Sequence, residues 1–193
     1  MKLCMIGTGY VGLVSGTCFA DIGNQVYCVD KDISKINKLN SGISPIYEPG
    51  LDELIQKNFK AKRLIFTTDL KEAIKNSDII FICVGTPNKK GSLNVDLSFV
   101  YKCVKEIYFF TNKKKIIVTK STVPLGTGDQ IEKIIKRKKK LFSVISNPEF
   151  LREGEAIRDF RYPDRIVIGS NSKKDYKSLK RLYAPLINKG ANF

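Results

Sequence analysis

The 193-residue sequence predicts an α/β fold, a doubly wound parallel sheet with helices on both faces, forming a single domain. Three observations carry this expectation. Short apolar runs alternate with longer amphipathic stretches from the first residues to about residue 170. The first apolar run passes at once into a glycine-rich turn and then an apolar stretch too long for a strand. The second run closes on an acidic residue, Asp30.

The elements follow in order. Lys2–Ile6 is a short buried strand that Gly7 stops, and Tyr10–Ile22 is the apolar helix after the turn. Gln25–Val29 is the second strand, Asp32–Asn40 a helix, and Glu48–Phe59 another after the turn containing Pro45. Leu64–Thr67 reads as a third strand and Leu70–Lys75 as a short helix. Ile79–Val84 is a strongly apolar fourth strand, and Ser98–Phe110 has apolar positions at helical spacing. Lys115–Thr119, the helix Thr127–Lys136 and Phe142–Ser146 continue the alternation, with Ile166–Gly169 as the last strand. No repeat, low-complexity linker or internal boundary interrupts residues 1–193.

Composition excludes several classes. Hydrophobic residues make up 42%, a globular proportion. No apolar run approaches the ~20 residues of a membrane span, and the glycine-broken N-terminus is a poor signal peptide, so a cytoplasmic protein is expected. The five cysteines show no metal spacing and there is no histidine, so no metal site is expected and the thiols read as buried and free. The net charge of +15 is densest at Lys113-Lys114-Lys115 and Lys136-Arg137-Lys138-Lys139-Lys140. No aromatic residues interleave with these runs, so they read as solvated surface rather than a nucleic-acid platform.

Gly7-Thr8-Gly9-Tyr10-Val11-Gly12 is a GxGxxG sequence between a strand and a helix, with Asp30 near the ~20-residue offset at which dinucleotide sites place an acid. This context points to a Rossmann-type sheet. Gly7 allows the tight turn, Gly9 lets a pyrophosphate approach the backbone, and Gly12 brings helix and strand together. Free N–H groups at the helix start then face the phosphates. Asp30 would accept from the adenosine ribose and repel a 2′-phosphate, favouring NAD over NADP, with Lys31 beside it a countervailing charge. A flavin site, or a degenerate fold that binds nothing, is the competing interpretation.

Further segments occur in order: PIYEPGL at 45–51, VGTP at 84–87, KSTVPLGT at 120–127, NPEFLREG at 147–154, YPDRIVIG at 162–169 and LYAPL at 182–186. Together with the glycine turn they resemble the UDP-glucose/GDP-mannose dehydrogenase family over essentially the whole chain, and NPEFLREG with KSTVP resembles its UDP-glucose branch. The resemblance implies NAD as cofactor, held by the turn (Gly7, Gly9, Tyr10, Val11, Gly12) with Asp30, Lys35, Thr86, Thr122 and Glu153. It implies that Glu149, Phe150, Leu151, Arg152 and Glu153 line a UDP-sugar site. Glu149, as proton donor and acceptor, and Thr122 would form the catalytic set. Homo-oligomerisation is implied for full-length relatives.

Simpler roles compete for these residues. Thr122 could cap the next helix, and Glu149 and Glu153, four apart, could share a helix face near its positive end. Glu149 could pair with Arg152 or Arg165, and Lys35 reads as surface on its own context.

The implied reaction oxidises UDP-glucose to UDP-glucuronate with two NAD and a cysteine nucleophile. That cysteine belongs to a GFGGSCFPKD-type segment, and none of Cys4, Cys18, Cys28, Cys83 and Cys103 has this context. Two readings therefore stand: an enzyme of this activity, or a non-catalytic NAD-binding module.

Overall fold

The computed structural model describes residues 1–89, 91 and 94–193. Seven strands form a sheet in the order β3-β2-β1-β4-β5-β6-β7. They are β1 (Lys2–Ile6), β2 (Gln25–Val29), β3 (Leu64–Thr67), β4 (Ile79–Ile82), β5 (Lys115–Thr119), β6 (Phe142–Ser146) and β7 (Gly169–Ser170). The first six pair in parallel, and β7 runs antiparallel to β6.

The helices are α1 (Tyr10–Asp21), α2 (Ile33–Asn40), α3 (Leu51–Lys60), α4 (Leu70–Asn76), α5 (Ser98–Phe110), α6 (Thr127–Ile134), α7 (Ala156–Arg161) and α8 (Lys173–Ile187). They bury opposite faces of the sheet. Leu3 and Met5 of β1 pack with α1, α2, α3, α7 and α8, whereas Cys4 and Ile6 pack with α4, α5 and α6. Every residue of β4 and β5 is buried, which is why β4 and the centre of β5 (116–118) are unbroken apolar runs rather than alternating ones. On the α1 face Phe19 is the hub, with ring centroids 5.3, 4.9 and 5.4 Å from Phe81, Phe160 and Tyr183. The strand order reverses direction between β1 and β4, opening a crevice at their carboxyl ends.

Several expected elements are corrected. The fourth strand stops at Ile82, leaving Cys83 and Val84 in the turn that follows. The helix expected from Glu48 starts only at Leu51, because Gly50 precedes it in the left-handed region at φ 79°. The helix expected to Lys136 ends at Ile134, and Lys136–Leu141 is a 3-10 turn. The last strand, expected at Ile166–Gly169, is the shorter β7 at Gly169–Ser170, antiparallel to β6, and residues 166–168 lie outside it. The Ile166 N–H instead donates to the Asn192 carbonyl at 2.7 Å, and the Val167 carbonyl accepts from Asn147 at 3.0 Å. Helices α7 and α8 were not anticipated, although α8 announces itself by Leu179, Leu182, Tyr183 and Leu186 on one buried face.

Two lysines of the basic runs are structural rather than solvated. Lys115 is buried and its ammonium donates to the Ser77 and Lys75 carbonyls at the end of α4. Lys138 donates to Tyr108 and Thr111 carbonyls at the end of α5, at 2.9 and 3.2 Å, and lies over the Tyr108 ring. Cations suit the negative end of a helix and bond its orphan carbonyls. Lys113, Lys136, Arg137, Lys139 and Lys140 are exposed.

Candidate functional site

The glycine turn sits where β1 meets α1, at the reversal of strand order. Gly7 has φ +102°, and a Cβ there would lie 2.9 Å from the Cys83 carbonyl oxygen. A Cβ on Gly12 would come within 1.9 Å of the Gly7 oxygen, so neither position admits a side chain. Gly9 differs: a Cβ there meets nothing within 4 Å of protein. The fold itself therefore does not demand glycine at residue 9, and the open space above it suits a group arriving from outside. The first turn of α1 carries no acidic residue and no side-chain cap, which leaves its N–H groups available to an anion.

Asp30 ends β2 beside this turn. Its Oδ2 accepts from the Thr8 N–H at 2.9 Å and the Thr8 hydroxyl at 2.8 Å, and Oδ1 accepts from the Asp32 N–H at 3.1 Å. Burial raises its pKa, but the Thr8 and Asp32 donors and the Lys35 charge outweigh burial and hold the carboxyl below its usual range. Lys35 is half-exposed on α2, whose start is capped by Asp32. An anionic acceptor, free helix N–H groups and an open glycine together fit a dinucleotide.

The loops after β4 and β5 meet over the crevice. Thr86 donates its hydroxyl to the Thr122 carbonyl at 3.0 Å, and Ser121 donates to the Val84 carbonyl at 2.6 Å. Thr122 does not cap a helix. The residue preceding α6 is Gly126, at φ 80°, and the first helical residue, Thr127, bonds back to the Pro124 carbonyl.

Glu149, in the loop after β6, lies against the α1 side of the crevice. Its Oε2 is 2.6 Å from the ammonium of Lys120 and accepts from the Ser15 hydroxyl at 3.3 Å. Its Oε1 accepts from the Phe150 N–H at 2.8 Å. Lys120 is fully enclosed, with its side chain 3% exposed. It also donates to Asn147 Oδ1 at 3.3 Å and to the Tyr183 hydroxyl at 3.4 Å, and that hydroxyl donates to Asn147 Oδ1 at 2.6 Å. Burial works against the Lys120 charge, but Tyr183 and Glu149 outweigh it, so the ammonium is held above its ordinary pKa. The expected pairing of Glu149 with Arg152 or Arg165 is thus corrected. Arg152 is taken by Asp159 and Glu155 at 2.7 and 3.1 Å, and Arg165 lies over the Phe150 ring at 4.9 Å.

Glu149 and Glu153 do not share a helix face. Residues 147–152 are irregular and 153–155 form a turn, with α7 starting only at Ala156 after Gly154 at φ +86°. The loop borders a cavity of about 690 Å³, lined among others by Lys120, Glu149, Phe150, Arg152, Arg165 and Tyr183. Leu151 is half-buried against the α1-side core, and Glu153 is exposed.

Sequence reasoning missed Thr8, Ser15, Glu48, Lys120, Asn147 and Tyr183. A charged residue directly after a wholly buried strand, as Lys120 is after β5, was the available signal, because burial there demands a partner. All five cysteines are buried. Burial pushes Cys18 and Cys83 up to about 12 and Cys103 up to about 11, and raises Cys4 and Cys28 as well. Among the described residues no group of His, Cys, Asp or Glu could hold a metal ion, and no helix is long and apolar enough to cross a membrane.

Comparison with known proteins agrees with this geometry. The family model described as "UDP-glucose/GDP-mannose dehydrogenase family, NAD binding domain" matches residues 1–187. UDP-glucose 6-dehydrogenase of Rhizobium meliloti (strain 1021) is 52% identical over 190 residues, 96% of this chain and 44% of the relative. UDP-glucose 6-dehydrogenase TuaD of Bacillus subtilis (strain 168) is 52% identical over 187 residues, 95% of this chain and 40% of that protein. Among solved structures, a ternary complex of GDP-mannose dehydrogenase from Pseudomonas aeruginosa superposes with a TM-score of 0.92 at 38% identity, over 96% of this chain and 44% of that one. A UDP-glucose dehydrogenase from Pyrobaculum islandicum gives 0.92 at 36% identity, over 98% and 44%. The chain thus spans less than half the length of these proteins.

Proposed function

Because the chain belongs to the UDP-glucose/GDP-mannose dehydrogenase family and matches its NAD-binding domain, we propose that residues 1–193 carry the NAD site and part of the sugar-nucleotide site for oxidation of UDP-glucose to UDP-glucuronate. The observation that carries this reading is the placement of Glu149. It joins the helix that opens at the glycine turn, through Ser15, to the buried ammonium of Lys120.

Gly7, Gly9, Tyr10, Val11 and Gly12 would hold the pyrophosphate, and Asp30 with Lys35 the adenosine ribose. Thr86, Thr122 and Glu153 would complete the cofactor contacts. NAD, when bound, would supply the hydride acceptor. Glu149 would take the proton of the sugar alcohol, and Thr122 would complete the catalytic set. Phe150, Leu151, Arg152 and Glu153 line the sugar nucleotide. Lys120, 2.6 Å from Oε2, holds the Glu149 side chain in place at the crevice.

A second reading rests on the cysteines. Their burial and raised pKa values leave no thiolate in the crevice, so the 193-residue polypeptide by itself holds NAD without completing the oxidation. Both readings are tested by calorimetric titration of the chain with NAD, alongside NADH absorbance in the presence of UDP-glucose and NAD. NAD binding without turnover is expected. Absence of NAD binding would overturn the site assignment, and formation of two NADH per sugar would overturn the second reading.

A further inference from the structure

Tyr10 opens α1 at the glycine turn, yet its hydroxyl points to a different part of the chain. It donates to Glu48 Oε2 and accepts from the Gly154 N–H at 2.6 Å. Glu48, between α2 and α3, is 6% exposed. Its Oε2 also accepts from the Gly154 N–H at 2.9 Å, and its Oε1 accepts from the Ile157 N–H in α7 at 3.2 Å. One carboxylate therefore gathers donors from the turn at residue 10 and from the loop and helix at residues 154–157. Gly154 can aim its N–H inward because it occupies the left-handed region at φ +86°.

The glycine fingerprint does not require this arrangement. Gly7 and Gly12 satisfy the turn by themselves, through the close approaches at Cys83 and at Gly7. A buried carboxylate is costly to desolvate and adds little to stability over an apolar side chain of the same shape. What the cluster does provide is position. It fixes residues 152–157, which carry Arg152 and Glu153 out of the β6 loop, against the first turn of α1.

We infer that Tyr10 and Glu48 are positioning residues, a latch that seats the acidic loop at 149–155 on the dinucleotide turn. The Tyr10 hydroxyl acts through Gly154 on Glu153 rather than on the cofactor. This inference rests on the proposed reading that Glu153 faces bound NAD. Burial and the Glu48 bond push the Tyr10 phenol up to about 12, so the donor persists across the physiological range.

The test is a double-mutant cycle on the 193-residue chain, titrated with NAD by calorimetry. Tyr10→Phe and Glu153→Ala are each expected to raise the Kd about three- to tenfold. Adding Tyr10→Phe to Glu153→Ala should cause no further loss, because the loop would then carry nothing for the latch to place. Amide hydrogen exchange is the second measurement. Tyr10→Phe should speed exchange at Gly154 and Ile157 about tenfold and leave Leu13 in α1 unchanged, which shows the fold intact. Multiplying effects in the double variant, or unchanged exchange at Gly154, would overturn the latch. If Glu153→Ala alone leaves the NAD Kd unchanged, the assignment of Glu153 falls. The latch is then judged by whether NAD slows exchange at Gly154 in the native chain but not in Tyr10→Phe. Equal slowing in both would overturn it.

Discussion

Replacing Lys120 with methionine removes the ammonium that lies 2.6 Å from Glu149 in a site where the two side chains are 3% and 13% exposed. Removing one partner of a buried ion pair strands the other charge and costs about 3–5 kcal/mol. The lower end, about 3 kcal/mol, fits this site. Glu149 keeps the Ser15 hydroxyl and the Phe150 N–H, and Tyr183 and Asn147 keep each other at 2.6 Å. For a chain of this size each kcal/mol lowers the melting temperature by about 2–4 °C, so Lys120→Met should melt roughly 6–12 °C below the native chain. Adding Glu149→Gln should recover more than half of that loss, because no unpaired charge remains. The pH dependence has a definite sign. The folded pKa of Lys120 is raised, so its stabilisation is fully present below the ordinary lysine value and is lost as pH rises through the folded one. The gap between native and variant chains should therefore hold across the neutral range and close only in strong alkali. Calorimetric unfolding over pH measures both effects. A loss below about 1 kcal/mol, the range of an exposed pair, would refute the argument from burial. So would a double variant no more stable than the single one.

Gly9→Ala should fold normally, since its Cβ meets open space, while NAD affinity falls at least about tenfold; Gly12→Ala, placed 1.9 Å from the Gly7 oxygen, should disrupt the fold itself, and thermal melts with NAD titration separate the two. The native chain should bind NAD about tenfold or more tightly than NADP, a difference of ~1.4 kcal/mol, and Asp30→Ala should narrow that gap; equal native affinities would sink the role of Asp30. Iodoacetamide should label none of the five buried cysteines in the native chain and all of them after denaturation, read by mass spectrometry, whereas fast native labelling of Cys83 would show a reactive thiol. Binding to random duplex DNA should be weak and lost by ~200 mM salt, and sequence-selective binding above that would reassign the exposed lysines.

What the sequence by itself determined was the parallel sheet and the glycine turn with Asp30 beside it. Ile79–Ile82 and residues 116–118 of β5 are buried on both faces, so they appear as apolar runs that need no partner information to be read. The glycine turn and Asp30 are similarly local, because the geometry they serve is set by residues adjacent in the chain or one strand away. Tertiary structure alone decided the polar interior. Lys120 follows β5, Asn147 and Glu149 lie in the loop after β6 and Tyr183 in α8, while Tyr10 and Glu48 reach that same loop at Gly154 from α1 and from the segment before α3. None of these groups carries a periodicity that marks its partner. A charge or hydroxyl can be buried only where folding supplies a bonding group, and which one supplies it depends on how the loops close over the strand ends. The same dependence decided the basic runs, where Lys115 and Lys138 turned inward to helix carbonyls while their neighbours stayed in water.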